Sequence, residues 1–219
     1  MTEARIEPAR EADAEAVHQV ARESWHAAYD DILGADTVDA VVAEWYEVEG
    51  LRDAIARARS ASDVAFPVAR ADPSDSDGSG GVERFTGRDG ETDGDREGDG
   101  EGNGQGNGQG DGEGDGEGNV ETLLGFAHAT GSQDDPDVAY LVRIYTHPAW
   151  WGQGVGTALL AAVEEPMAAH FDRLALSVLA DNRPAVSFYE SRGFERVETR
   201  PCPIDETVDE HVYRKRLEE

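Results

Sequence analysis

The spacing of apolar positions divides the chain into short alternating stretches and longer stripes of helical period. Residues 4–8 have the pattern of a strand, and residues 12–29 that of a helix carrying Ala16, Val17, Val20, Ala21, Trp25 and Ala28 along one side. Asp36 is placed to N-cap a second helix bearing Val38, Val41, Val42 and Trp45, and residues 51–58 form a third. Residues 64–69 then make a strand that tolerates Pro67 only at a sheet edge or beside a bulge. The run LLGFAHA, residues 123–129, is a strand able to pair with it as a hairpin. Next come a strand over 138–146, ended by Pro148, and a helix from 155 to about 170. That helix has Val155, Leu159, Leu160, Val163 and Met167 on one side and a kink expected at Pro166. A buried strand over 173–179, a helix over 183–191 closed by Gly193 in the left-handed conformation, and strands near 194–199 and 210–217 complete the order. The sequence predicts one α/β domain, residues 1–219, built on a mixed sheet.

Residues 72–119 interrupt this pattern. They hold 17 of the 25 glycines, with little besides Asp, Glu, Asn and Gln toward their end. Such a segment buries too little apolar surface to offset its ordering entropy, so it is expected to be disordered. Widening a hairpin loop from about 4 to about 48 residues costs only ~2 kcal/mol of closure entropy, which the flanking strands can absorb. Calcium binding is disfavoured because the apolar residue that each turn of a β-roll tucks inward is missing, and no EF-hand spacing appears.

Charge adds a second feature. The chain carries 47 acidic and 19 basic residues, and only Lys215 is a lysine. The insert accounts for 15 of the acidic and 3 of the basic residues, so the remainder is strongly acidic too. This composition suits a cytoplasm of very high salt, where self-repulsion is screened within about 3 Å at 1 M. A basic patch for nucleic acid is absent, no apolar run approaches a membrane span, and the start MTEARIEPAR lacks an apolar signal core. A cytoplasmic protein with no nucleic-acid or membrane partner is expected, as a monomer or homodimer. Cys202 is the only cysteine, which excludes an intrachain disulfide and a thiolate metal cluster; no metal is expected.

The chemistry concentrates at WWGQGVGTAL, residues 150–159, where Gly152, Gly154 and Gly156 precede an apolar helix. Glycines allow close backbone approach, and a helix start offers unpaired N–H groups and partial positive charge, the geometry of a diphosphate site. A Walker A loop fails for want of Gly-Lys-Ser/Thr. A dinucleotide fingerprint fits poorly, because the spacing is G-x-G-x-G and residues 147–151 separate strand from glycines, although Asp181 stands near the place of a ribose-binding acid.

The run HPAWWGQGVGTALL, followed by NRPAVSFYESRGF, resembles the GNAT superfamily of N-acetyltransferases, of a halophilic archaeal type. The first run is similar to the family's R/Q-x-x-G-x-G/A turn, and Asn182, Ala185, Phe188, Tyr189, Gly193 and Phe194 match its later helix. Trp151 departs from the pattern, standing where Arg or Gln is usual. The likeness spans about 170 residues, everything outside the insert. It implies a mostly antiparallel six- to seven-stranded sheet flanked by helices, whose fourth and fifth strands, here 138–146 and 173–179, splay apart. It also implies acetyl-CoA as co-substrate. Backbone groups of Ile144, Tyr145 and Thr146 would bond the pantetheine, and Gly152, Gln153, Gly154, Val155, Gly156 and Thr157 would cradle the diphosphate. Asn182 would bond the pantetheine or order water, and Tyr189 would be the general acid toward the thiolate.

The acceptor implied is a primary amine of a small molecule or protein. A lysine-like amine of pKa ~10.4 requires a base, whereas an α-amino group at ~7.7–8.0 needs less help. Tyr140 occupies the position where many relatives carry a Glu; His128, Asp137 and Glu23 are the alternatives. Trp25, His26, Tyr29 and Tyr140 are expected to line the acceptor pocket. Two other functions fit parts of the pattern: a non-catalytic acyl-CoA-binding module and a nucleotide-linked oxidoreductase.

Overall fold

The computed structural model describes residues 4–71 and 122–218. The insert, with the expectation of disorder attached to it, lies outside the described residues. Strand β1 is Ala4–Pro8, and a 3-10 turn at Glu11–Asp13 leads into α1, Ala14–Leu33. Helices α2 (Ala35–Trp45) and α3 (Val48–Ser60) follow. Then come β2 (Val64–Ala65), β3 (Pro67–Ala71), β4 (Leu123–Gly131) and β5 (Val138–Thr146). Helix α4 is Val155–Ala168, and β6 is Arg173–Leu179. Helix α5 (Arg183–Glu190) and strands β7 (Glu195–Pro201) and β8 (Asp209–Arg216) end the described chain.

These strands form one sheet in the order β1-β3-β4-β5-β6-β8-β7, with β2 also paired to β4. Every pairing is antiparallel except β5 with β6. The helical crossover α4 requires that exception, because a parallel neighbour can be reached only by a return across one face. The sheet has eight strand elements where six or seven are expected, because the second strand breaks around Phe66 and Pro67. Val64↔Thr130 and Val68↔Phe126 keep one register across the break, so Pro67 costs the ladder a hydrogen bond without shifting it. Pro67 lies between β1 and β4 rather than at an edge, and β1 ends opposite it at Pro8.

Two apolar clusters cover the two faces. On one, α1, α2 and α3 bury Val17, Val20, Trp25, Val38, Tyr46, Leu51 and Ile55 against Phe66, Val68 and Phe126. On the other, α4 buries the five expected positions, Val155, Leu159, Leu160, Val163 and Met167, against Leu124, Leu174 and Leu176. Helix α4 continues through Pro166 to Ala168. Gly193 has φ +83°, the left-handed closure expected after α5. The N-cap of α2 is Gly34 rather than Asp36, which sits in the first turn, where its charge still favours the helix start.

Candidate active site: a cleft between two diverging strands

Strands β5 and β6 hydrogen-bond only where Val138, Ala139 and Tyr140 face Arg173, Leu174 and Ala175. Beyond Tyr140 they part, and a cleft of about 540 Å3 opens between them. A β-bulge starts the divergence: the β4–β5 register slips between His128/Arg143 and Ala129/Leu141, leaving Val142 as the extra residue. Helix α1 supplies one wall with Ser24, Ala28, Tyr29 and Ile32, and α5 supplies another with Ala185, Phe188 and Tyr189. Ser24, Ala28 and Ile32 are spaced by four, so one stripe of the helix faces the opening.

The backbone of β5 alternates its hydrogen-bonding direction. His147 N–H donates to the Leu124 carbonyl at 2.9 Å, so the main-chain groups of residues 147, 145 and 143 point at β4. Those of Ile144 and Thr146 point across the gap. The Thr146 carbonyl is already taken, by Ser24 Oγ at 3.1 Å and Trp151 Nε1 at 2.7 Å. What faces the cleft unclaimed by this ladder is the Ile144 peptide and the Thr146 N–H.

The strand leads into a 3-10 turn at Pro148–Trp150 and then the glycine turn. His147 fixes this corner. Its Nδ1 accepts from Ala149 N–H at 3.2 Å, so Nε2 carries the proton and faces Glu23 Oε2 at 2.5 Å. Gly152 and Gly154 have φ of +73° and +90°, a conformation that a side chain would strain. Gly154 is the N-cap of α4, and its carbonyl accepts from Ala158 N–H at 3.0 Å. The amides of Val155, Gly156 and Thr157 precede that first intrahelical bond and emerge at the cleft.

The far wall carries Asn182 and Tyr189. Asn182 Oδ1 caps α5 by accepting from Ala185 N–H at 3.2 Å, and its side chain lies beside Tyr29. Tyr189 is 8% exposed, its ring packed on Phe188, Phe194 and Tyr213. Its hydroxyl has no hydrogen-bond partner among the described residues. Burial drives this phenol and that of Tyr145 well above their ordinary range, and raises Tyr29 as well. Tyr46, behind them, is pushed up to about 12 by burial. All four are hydroxyl donors at neutral pH. Arg192 lies over the Phe188 ring at 3.9 Å and donates to the Thr157 hydroxyl at the start of α4.

Residues 111–194 match the family model described as the acetyltransferase (GNAT) family. The matched span is under two fifths of the chain. An uncharacterized protein of Mycobacterium leprae is 38% identical over 82 residues, 37% of this chain. The match takes in 22% of that protein, so the chain spans about a fifth of the relative's length. Among solved structures, the PaiA N-acetyltransferase of Thermoplasma acidophilum in complex with coenzyme A superposes with a TM-score of 0.67 at 22% identity, covering 98% of this chain and 99% of that one. A GNAT acetyltransferase of Streptococcus pneumoniae gives 0.61 at 17%, covering 99% and 100%. The ribosomal-protein-S18-alanine N-acetyltransferase of Escherichia coli gives 0.54 at 14%, covering 99% and 96%. These likenesses show that the fold is shared.

The cleft gathers most of the residues singled out from the sequence: Tyr29, Ile144, Tyr145, Thr146, Gly152, Gly154, Val155, Gly156, Thr157, Asn182 and Tyr189. Tyr145 contributes its side chain, its peptide being directed at β4. Gln153 stays outside, its amide donating to the Ala149 carbonyl at 2.9 Å. Trp25 is a core residue, 4% exposed, whose indole donates to Tyr46 at 3.0 Å. His26 sits on another face of α1, between Asp30 at 2.9 Å and Asp39 at 3.2 Å. The helical period turns His26 away from the Ser24–Ala28–Ile32 stripe, whereas Trp25 lies one turn before Tyr29 and is covered by Tyr46. Tyr140 is held below the opening, its hydroxyl donating to Ser177 Oγ at 2.9 Å.

The three alternative bases also lie outside the lining. Glu23 is occupied by His147, and Asp137 is exposed at the opposite end of β5. His128 stacks on Phe66 at 5.0 Å; burial, then the charges of Arg143 and Arg57, lower its pKa to about 4. Sequence reasoning missed Ser24, Ser177 and Arg143 as lining residues. Ser24 carried a faint signal, the small residues at i+3 and i+4, and Arg143 carried none.

Proposed function

We propose that this chain is an N-acetyltransferase that moves an acetyl group from acetyl-CoA to a primary amine by direct attack. The observation that carries the reading is the parting of β5 and β6 after Tyr140, whose open strand runs straight into the amides at the start of α4. The fit of acetyl-CoA to the residues present is good. An extended arm can add to the free β5 peptides as a strand would. The positive-φ glycines leave the helix start bare for a diphosphate, and Arg192 stands beside it. Trp151, at the place of the usual cation, ties the turn to the Thr146 carbonyl, and Arg192 takes over the positive charge.

In the reaction, the amine lone pair forms a C–N bond to the acyl carbon, the C–S bond breaks, and a thiolate leaves while the amine sheds a proton. An Ile144 or Thr146 N–H is positioned to polarise the acyl oxygen. Tyr189 meets the thiolate as a hydrogen-bond donor. Its raised pKa makes full proton transfer to a thiolate of pKa ~8.5 uphill, so stabilisation comes from the hydrogen bond. The acidic composition we read as an adaptation of a cytoplasmic enzyme to high salt. Thiol release from acetyl-CoA across an amine panel tests the function: amine-dependent release supports it, and CoA binding without release supports a non-catalytic module instead.

A further inference from the structure

A neutral imidazole has one nitrogen that donates and one that accepts, and the partner of either fixes the role of the other. At His147 both partners are in place. Nδ1 accepts from Ala149 N–H at 3.2 Å, which leaves Nε2 as the donor toward Glu23 Oε2 at 2.5 Å. Glu23 is itself held on α1 by Gln19, one turn earlier, whose amide donates to Oε1. An ionised carboxylate only accepts, so Glu23 selects the tautomer whose Nδ1 is bare for the Ala149 N–H.

Ala149 links this choice to the glycine turn. It lies in the 3-10 turn after β5, and side chains hold both of its main-chain groups: His147 takes the N–H, and the Gln153 amide donates to the carbonyl at 2.9 Å. Gln153 stands between Gly152 and Gly154, whose positive φ angles set the entry into α4. The next residue of α1, Ser24, donates to the Thr146 carbonyl at 3.1 Å. Two consecutive residues of α1 therefore latch the two residues at which β5 passes into the turn. Glu23 and His147 lie outside the cleft lining, so neither is placed to touch the reacting atoms.

We propose that Glu23 is a positioning residue for the co-substrate: through the His147 tautomer and Ala149, its carboxylate holds the glycine turn in the shape that presents the amides of residues 154–157 to the diphosphate. The proposal rests on the N-acetyltransferase reading above. It gives Glu23 a part other than that of a base, and Gln153 a part in bracing the turn rather than in cradling the diphosphate.

The test uses the full-length protein with Glu23→Gln, Glu23→Ala and Glu23→Lys. Gln still offers an oxygen to Nε2–H, Ala offers nothing, and Lys, a donor only, moves the proton to Nδ1, where it meets the Ala149 N–H. CoA affinity by calorimetry is expected to stay within about twofold of the parent for Gln and to weaken about three- to tenfold for Ala, the value of a charged hydrogen bond discounted for a pair about one-third exposed. Lys is expected to weaken it further. At saturating acetyl-CoA, kcat is expected to stay within about twofold in all three. Nitrogen-15 shifts of the His147 ring at about pH 8, where a free imidazole is neutral, are expected to show the Nε2–H form in the parent and Gln and the Nδ1–H form in Lys. A Gln variant that loses kcat at unaltered CoA affinity overturns the proposal, because it marks Glu23 as a base. Equal CoA affinity in the parent, Ala and Lys overturns it, as does a parent in the Nδ1–H form. So does a Gln variant that loses CoA affinity and melting temperature as Ala does, which would mark general packing. Absence of CoA binding by the parent defeats the functional reading itself.

Discussion

Replacing Tyr189 with Phe removes one oxygen from the wall of the cleft and nothing from the core. The ring contacts with Phe188 (centroids 5.2 Å apart), Phe194 (5.6 Å) and Tyr213 (6.5 Å) remain. The lost hydroxyl has no protein partner among the described residues, so stability is expected to change by less than about 0.5 kcal/mol. The effect on catalysis is different. A hydrogen bond to a charged group is worth about 1.5–3 kcal/mol, and that charge exists only as the thiolate forms. Each 1.36 kcal/mol is tenfold, so kcat and kcat/KM are expected to fall together by about 10- to 150-fold, with CoA affinity unchanged. Because burial raises the phenol, the parent enzyme is expected to keep its rate through pH 10 without a loss from ionisation of this group. Stopped-time thiol release, calorimetry and thermal melts measure the three quantities. Turnover within twofold of the parent, at unaltered CoA affinity, refutes the placement of this hydroxyl at the leaving sulfur.

Three further outcomes follow from the same geometry. Arg192→Met is expected to weaken CoA binding about tenfold, the lower part of the range for a charged hydrogen bond after allowance for its exposure, with little change in melting temperature; unchanged affinity by calorimetry would assign the diphosphate entirely to backbone amides. Gly125→Ala places a Cβ 2.7 Å from the Tyr145 carbonyl oxygen and 3.1 Å from Leu159 Cδ1, so a loss of roughly 1–3 kcal/mol in denaturant melts is expected, together with weaker CoA binding as β5 and α4 shift; an unaltered midpoint contradicts the packing described. His128 has a pKa near 4 in the fold against 6.5 for the free side chain, so between those values the unfolded chain binds more protons and stability falls with falling pH, by up to roughly 3 kcal/mol. His128→Gln is expected to flatten that dependence, and an unchanged slope would show that other groups cause it.

The sequence was most legible where one period and one environment coincide. The α4 stripe from Val155 to Met167 is buried as its spacing predicts, and β5 ends at Thr146 where Pro148 approaches. Gly193, whose role depends only on local backbone, takes the expected conformation. What tertiary contacts decide was less legible. The bulge at Val142 opens the cleft, yet it arises from the register between two strands and leaves no mark in either alone. Trp25 and Tyr29 share an apolar stripe four residues apart, but only Tyr29 reaches the cleft, while Trp25 is claimed by Tyr46, just past the end of α2. Tyr145 was grouped with its neighbours as a backbone donor, and the alternation of the ladder turns its peptide away. Trp151 stands where the family pattern has Arg or Gln, and what its indole does there, holding the Thr146 carbonyl, depends on the turn folding back over β5.

The central claim is that the gap between β5 and β6 holds acetyl-CoA with its diphosphate on the start of α4. Crystallising the full chain with CoA tests it directly. The account predicts density for the diphosphate against the amides of residues 154–157, and for an arm running along Ile144 toward the Tyr189 hydroxyl. Density at any other site, or a refined structure in which β5 and β6 stay paired beyond Tyr140, would contradict it.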